Sequence, residues 1–224
     1  MESLVSNLSI DCVIFTFDTE LKVLLVKHGE GIIKDKWALP GGWIRKGKSI
    51  DDEAHGILNL LTGLKDIYLD QFKTFGKVDR YPEKRVITVA YYSLIPLPDY
   101  ELIAGYTASM AKWFSIKDLP ELPFDHKIIL EEAIDALQVK VKREPIIFNL
   151  LPKKFTLLQL QHLYESLLAV QFDKPNFRRK ILKRGILKKS DEKQIAVSHR
   201  AAVLYEFDKD KFDRIKEEKF ILDF

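Results

Sequence analysis

Cysteine is almost missing from this chain of 224 residues: Cys12 is the single thiol. An internal disulfide framework and paired-cysteine zinc modules are therefore excluded, and a reducing cytoplasm is the expected compartment. Long apolar runs are missing too. Stretches such as Val23–Val26 fall far short of the roughly 20 residues that a helix needs to span a bilayer, so no membrane role is expected. Met1–Ser9 places no basic segment ahead of an apolar stretch, so no secretory signal is expected. No internal repeat or low-complexity tract is present. Net charge is scarce as well, at +3 with 46% hydrophobic residues, which argues against disorder. The length suits one large domain or two small ones.

The small net charge hides an asymmetry. Residues 145–224 hold 17 Lys+Arg against 11 Asp+Glu, a net of +6, and residues 1–144 hold 19 against 22, a net of −3. Within Lys174–Lys193 there are nine basic side chains and two acidic ones. A basic block attached to a mildly acidic body fits a polyanion-binding module on its own domain; a merely solvated charged face is the plainer alternative.

The element pattern supports a division near residues 142–150, giving domains 1–144 and 145–224. In the first, Ser9–Phe17 and Lys22–Lys27 read as strands joined by the turn Asp18-Thr19-Glu20. Ser49 is a good N-cap for a helix running through Ala54–Leu61, with Asp51, Asp52 and Glu53 suited to its positive end and Gly63 placed to stop it. Ile67–Phe75, Val86–Ile95 and Lys112–Ser115 read as further strands. Phe124–Val141 reads as a helix with Ile128, Ile129, Ala133, Ile134 and Leu137 on one side. In the second domain Thr156 can cap a helix to about Leu168. Asp173 can cap the next, Lys174 to about Arg184, with Pro175 tolerated in its first turn and Phe177, Ile181 and Leu182 toward the core. A short strand Ile186–Lys189, a polar turn through Ser190–Gln194 and the strand Ala201–Phe207 complete a helix, turn, basic helix, hairpin order.

Gly42 to Leu64 carries the most specific pattern of the first half. A glycine pair after Trp37-Ala38-Leu39-Pro40, then a loop and a capped helix ending Thr62-Gly63-Leu64, resembles the Nudix box. Gly42, Leu58, Gly63 and Leu64 match that motif, as do the flanking Pro40, Gly41, Gly47, Ala54 and Thr62. Its chemical positions do not match. Lys48 stands at the first Glu, Gly56-Ile57 at the Arg-Glu pair, and Leu60-Leu61 at the Glu-Glu pair. In Nudix hydrolases those carboxylates hold magnesium, which needs hard oxygen ligands that isoleucine and leucine lack. No catalytic residue, metal or cofactor is expected, and Asp51, Asp52 and Glu53 are explained as capping residues.

A pocket-forming scaffold without its reaction commonly binds without turnover. Lys27, Glu30, Trp37, Trp43, Arg45, Asp79 and Tyr92 are the expected ligand contacts, with Arg80 and Glu83 beside them, in a set that suits a sugar ring. Trp113 and Phe75 read as core. His28, His55, His126, His162 and His199 show no ligand spacing and read as structural or surface residues.

The second half adds Leu151-Pro152-Lys153-Lys154-Phe155-Thr156-Leu157, Leu160-Gln161, Tyr164-Glu165 and Asn176-Phe177-Arg178-Arg179-Lys180. With the Nudix-like half, it resembles the Nudix-related transcriptional regulators of bacteria, the NrtR kind, over nearly the whole chain. That resemblance implies a Nudix-like α/β/α sandwich followed by a C-terminal winged helix-turn-helix (α+β) domain, homodimeric binding to double-stranded operator DNA, and a small-molecule effector. The expected DNA contacts are Lys153, Thr156, Lys174, Asn176, Arg178, Arg179, Lys180 and Lys183, with Lys188, Lys189 and Lys193 as the wing. The resemblance also divides by effector. Where the ADP-ribose branch shows Arg-Asp-Pro-Arg-Gly, this chain reads Arg80-Tyr81-Pro82-Glu83-Lys84, and the first half is net negative. Both features favour a pentose such as L-arabinose and control of sugar utilisation. The alternatives are ADP-ribose with control of NAD metabolism, a weakly active Nudix hydrolase, and a sugar-binding adaptor without DNA.

Overall fold

A computed structural model describes residues 4–97, 101–193 and 202–215, which form two compact units, Met1–Leu137 and Gln138–Phe224. The division falls inside a helix, α2 (His126–Arg143).

Unit 1 is built on a long strand, β1 (Leu4–Phe17), whose β-branched and aromatic residues favour a pleated, buried surface. β6 (Ile87–Pro96) runs parallel along one edge of β1, from Leu8↔Ile87 to Phe17↔Pro96. The other edge is shared. β4 (Gly41–Arg45) pairs at Ser9–Asp11, and β2 (Leu21–His28) pairs at Phe15–Phe17. Between these pairings the Cys12 N–H donates to the Pro40 carbonyl at 2.8 Å. β3 (Trp37–Ala38) and β7 (Ala108–Ser115) add to β2, and β5 (Asp70–Phe75) adds to β6, making a sheet of seven strands among the described residues of this unit.

Alternation along β1 sends Ile10, Cys12 and Ile14 into a core shared with Ala54, Ile57, Leu58 and Leu61 of α1 (Ile50–Thr62). Ser49 caps α1 by accepting the Asp52 N–H, and Gly63 ends it in the left-handed conformation at φ 77°. Ile129, Leu130, Ala133 and Leu137 are the buried residues of α2. Ile128 is a correction: it is 49% exposed, because Leu130 takes the inward position that the sequence reading gave to it.

Unit 2 holds a three-stranded sheet of β8 (Phe155–Thr156), β10 (Val203–Phe207) and β9 (Leu187–Lys193) in that order, with two helices between β8 and β9 in sequence. β8 (Phe155–Thr156) leads into α3 (Leu157–Leu168), then α4 (Lys174–Lys183), β9 (Leu187–Lys193), β10 (Val203–Phe207) and α5 (Lys209–Ile215). Thr156 and Gln159 form a reciprocal capping box at α3, and Asp173 caps α4 by accepting the Asn176 N–H at 3.0 Å. Two expectations are corrected. Ser190–Lys193 is strand rather than turn, held in register by Val203↔Lys193 and Tyr205↔Lys189, while Gln194 and Ala201 lie outside the described residues. Leu182 is 36% exposed, because Phe177 and Ile181, four apart, fill the inward face of a short helix.

Candidate effector cavity and nucleic-acid interface

A cavity of about 580 Å³ opens in unit 1 at the place where the edge of β1 passes from β4 to β2. One boundary is a buried polar cluster. Arg80 donates to both oxygens of Asp125, at 2.9 and 2.8 Å, and approaches Asp11 at 3.3 Å. The Leu39 N–H donates to Nδ1 of His126 at 3.1 Å, which puts that ring's proton on Nε2, 3.7 Å from Asp11. Burial, with help from the Arg80 charge, pushes the His126 pKa below its ordinary value against the pull of Asp11 and Asp125. His28, also on the lining, is lowered by burial and by His126. Gly41 is required beside this cluster, since a Cβ there would lie 2.5 Å from Asp11 Oδ1 and 2.6 Å from the Ile10 carbonyl.

Aromatic rings form a second boundary. Trp43 meets Tyr81 edge-on at 5.8 Å, Tyr81 meets Phe124 at 4.9 Å, and Phe124 meets His126 at 5.9 Å. Lys84 places its ammonium 4.1 Å from the Trp43 ring centre. A third boundary comes from α1 and β4. Arg45 Nε donates to Glu53 Oε1 at 2.7 Å, and Glu53 is only 1% exposed. Glu53 is thus a correction: Ser49 and Asp52 serve the helix start, Asp51 accepts from the Tyr91 hydroxyl, and Glu53 turns into the cavity.

The positions that carry magnesium ligands in Nudix hydrolases are Lys48, which is exposed, and Ile57, Leu60 and Leu61, which line the cavity. Hydrocarbon offers magnesium no ligand, and the described residues hold no cluster of three or more His, Cys, Asp or Glu able to take a metal ion. The residues present do not fit that ion.

Of the expected ligand contacts, Glu30, Trp43, Arg45 and Arg80 meet at this cavity. Lys27, Trp37, Asp79 and Tyr92 do not, and Glu83 is exposed away from it. Lys27 lies 3.9 Å from Asp35. Trp37 packs on Phe114 at 4.8 Å. Asp79 is 74% exposed beside Lys77. Tyr92 is buried against Phe72 and donates to Asp70 at 3.4 Å. Sequence reasoning missed Asp11, His28, Tyr81, Phe124 and His126. Only Asp11 carried a signal, the one charge in a strand whose other residues are apolar or uncharged.

In unit 2, Glu165 and Gln161 fix the turn between α3 and α4. Gln161 donates to Glu165 at 2.8 Å and to the Phe172 carbonyl at 3.1 Å, and the Phe172 N–H donates to Glu165 at 2.9 Å. The buried Phe177, stacked on Phe172 at 5.5 Å, then anchors α4 so that Lys174, Arg178, Arg179 and Lys183 face outward. Asn176 and Lys180 are half-buried, and Arg179 donates to Asn176 at 2.8 Å. Lys153 and Lys189 are exposed; Lys188, also exposed, reaches Asp208 at 3.1 Å. Thr156 is 6% exposed and its hydroxyl is engaged in the capping box, so it positions α3 rather than facing a groove. Lys193 ends β9, and its side chain lies outside the described part.

Comparison with known proteins agrees with both halves. The NrtR DNA-binding winged helix domain family matches residues 147–207. The chain is 30% identical over 211 residues to the ADPR responsive transcriptional repressor NtrR of Acinetobacter baylyi, covering 92% of this chain and 84% of that protein. The crystal structure of Shewanella oneidensis NrtR complexed with a 27mer DNA is similar at a TM-score of 0.73 and 28% identity, over 93% of this chain and 96% of that one. The NUDIX domain of the same Shewanella protein, complexed with ADP ribose, is similar at a TM-score of 0.54 and 31% identity, over 59% of this chain and 89% of that one.

Proposed function

The chain belongs to the NrtR family of regulators, which join a Nudix-like domain to a DNA-binding winged helix, and from that premise we propose that ADP-ribose is the effector of its Nudix-like half. It is a ligand-responsive DNA-binding transcriptional regulator. The observation that carries the effector reading is the extent of the cavity. At about 580 Å³ it falls among sites that enclose drug-sized ligands, roughly 300–1,000 Å³, and exceeds the needs of a five-carbon sugar. The rings of Trp43, Tyr81 and Phe124 offer a stacking surface for a base, and Lys84, whose ammonium lies over the Trp43 ring, supplies a cationic group beside them for a diphosphate. The similarity to a NUDIX domain complexed with ADP ribose supports the same ligand. A free pentose such as L-arabinose is the second reading, favoured by the engagement of Arg80 with Asp125 and Asp11, which withholds that guanidinium from a phosphate.

On this reading the Nudix-like half binds without hydrolysis, the regulator acts in the cytoplasm as a homodimer, and its operator has matching two-fold symmetry. Calorimetry with ADP-ribose, NAD, L-arabinose and xylose tests the effector. Saturable micromolar binding of ADP-ribose is expected, and saturable binding of L-arabinose alone overturns it. Incubation of ADP-ribose with the protein and magnesium should yield no AMP. A duplex-DNA gel shift with and without ADP-ribose tests the response, and unchanged retention at saturating ligand counts against it.

A further inference from the structure

Glu53 carries a buried oxygen that the protein leaves without a partner. The side chain is 1% exposed; Oε1 accepts from Arg45 Nε at 2.7 Å, while Oε2 is buried without a hydrogen bond. A carboxylate oxygen removed from water and left unbonded is costly, and native proteins rarely keep one without a use. This oxygen belongs to a residue that lines the effector cavity, and the neighbouring cavity residues of α1 are Ile57, Leu60 and Leu61, which have no side-chain donor to offer. The missing donor therefore has to arrive with the occupant.

The chemistry of that donor is restricted. An ionised carboxylate only accepts hydrogen bonds, so the occupant presents an O–H or N–H there. A phosphate would meet like charge at this oxygen, which leaves the uncharged, hydroxyl-bearing end of the ligand. We propose that Glu53 Oε2 accepts a hydrogen bond from a hydroxyl of a pentose ring that carries no base, the part that ADP-ribose and a free pentose have in common. Arg45 is the positioning residue. Its pairing with Oε1 fixes the carboxylate and compensates its charge, and Gly56 leaves the space, because a Cβ at that position would lie 3.2 Å from Arg45 Nη2. Glu53 lies outside the positions that the Nudix box defines, so the site is built from the scaffold without its metal-binding residues. The assignment rests on the reading of this cavity as the effector site.

Calorimetry on the full chain and on Glu53→Gln, with ADP-ribose, ADP and L-arabinose, tests it. The variant keeps the side chain's shape and an acceptor for Arg45 but removes the charge. Loss of a charge-assisted hydrogen bond should weaken ADP-ribose binding roughly ten- to a hundredfold and leave ADP, which lacks the second ribose, unchanged. Wild-type affinity of the variant for ADP-ribose overturns the assignment and leaves the effector reading standing. Equal weakening of ADP and ADP-ribose also overturns it, since the contact would then lie on the nucleotide. A wild-type chain that binds L-arabinose and not ADP-ribose, with the sugar lost in the variant, keeps the assignment and overturns the effector reading. A wild-type chain that binds neither overturns both. Independently of how the variant folds, ADP-ribose analogues lacking one hydroxyl of the second ribose are titrated into the unsubstituted protein. One of them should bind roughly tenfold or more weakly, and undiminished affinity across the series overturns the proposal.

Discussion

Arg80 shows how a residue that looked like a ligand contact also holds the cavity together. Its side chain is 4% exposed and makes two bonds to Asp125 and one to Asp11, so a charge is compensated from two elements at once. Replacing it with Met should leave the buried Asp11 and the partly buried Asp125 uncompensated, at a cost of about 3–5 kcal/mol in urea unfolding; a loss under 1 kcal/mol would show that water reaches them. The same cluster makes stability depend on pH through His126. Burial holds its folded pKa below the ordinary 6.5 of the unfolded chain. At pH 7.5 both states are neutral at this ring. Below 6.5 the unfolded chain takes up a proton that the folded one resists, so stability falls as pH drops from about 6.5 toward the folded pKa. His28 acts in the same direction. Urea midpoints at pH 7.5 and 5.5 should therefore differ more for the wild type than for His126→Asn, whatever the variant's absolute stability. Little of this was legible beforehand. Asp11 is a charge between the apolar Ile10 and Cys12, but its partners Arg80 and His126 come from distant parts of the chain, and no local spacing announces them. Glu53 was read as a capping residue for the same reason: its partner Arg45 sits on β4, and only the fold brings the strand against the helix.

At the scale of elements the sequence was far more readable, because caps and inward spacings are local. Ser49, Thr156 and Asp173 all cap the helices that they precede in sequence, and Gly63 stops α1. What failed was decided across the chain. Ser190–Lys193 is polar and carries no strand signal, yet β10 supplies a hydrogen-bonding edge that holds it extended. The inward face of α4 is set by Phe177 meeting Phe172, which leaves Leu182 at the rim. That anchoring has a consequence for DNA. With Phe177 and Ile181 buried, Lys174, Arg178, Arg179 and Lys183 face outward from the element that enters the major groove in helix-turn-helix proteins. Arg178→Ala should weaken duplex binding and lower the slope of log affinity against log salt by about one, the signature of one lost phosphate contact. Arg179 is held by Asn176 at 2.8 Å, and arginine and asparagine are the side chains suited to guanine and adenine edges. Arg179→Ala should therefore change sequence preference more than salt slope. Salt titrations on matched and scrambled duplexes separate the two, and unchanged affinity in both variants would remove α4 from the groove.

For the whole molecule, the net charge of +3 is the sum of two different fields. The −3 of residues 1–144 encloses a cavity of about 580 Å³, and the +6 of residues 145–224 carries the basic helix α4. A regulator with two such sites is defined by the coupling between them, and coupling of binding free energies is reciprocal. If ADP-ribose changes the affinity for operator DNA by some factor, the DNA must change the affinity for ADP-ribose by the same factor. A coupling of 1–3 kcal/mol, typical of allosteric proteins, corresponds to about 5- to 150-fold. Two measurements on one preparation at one salt concentration test this. Calorimetric titration of ADP-ribose into free and duplex-bound protein gives one ratio, and gel shifts with and without saturating ADP-ribose give the other. The ratios should agree and differ from one. A ratio of one in both would mean that the cavity does not control DNA binding, however tightly ADP-ribose is held, because a ligand with equal affinity for both states shifts neither. Glu53→Gln sharpens the comparison. By weakening the ligand at the cavity without touching α4, it should leave DNA affinity in the absence of ligand at the wild-type value and move the ADP-ribose concentration needed for the response upward by the same factor as its loss of binding.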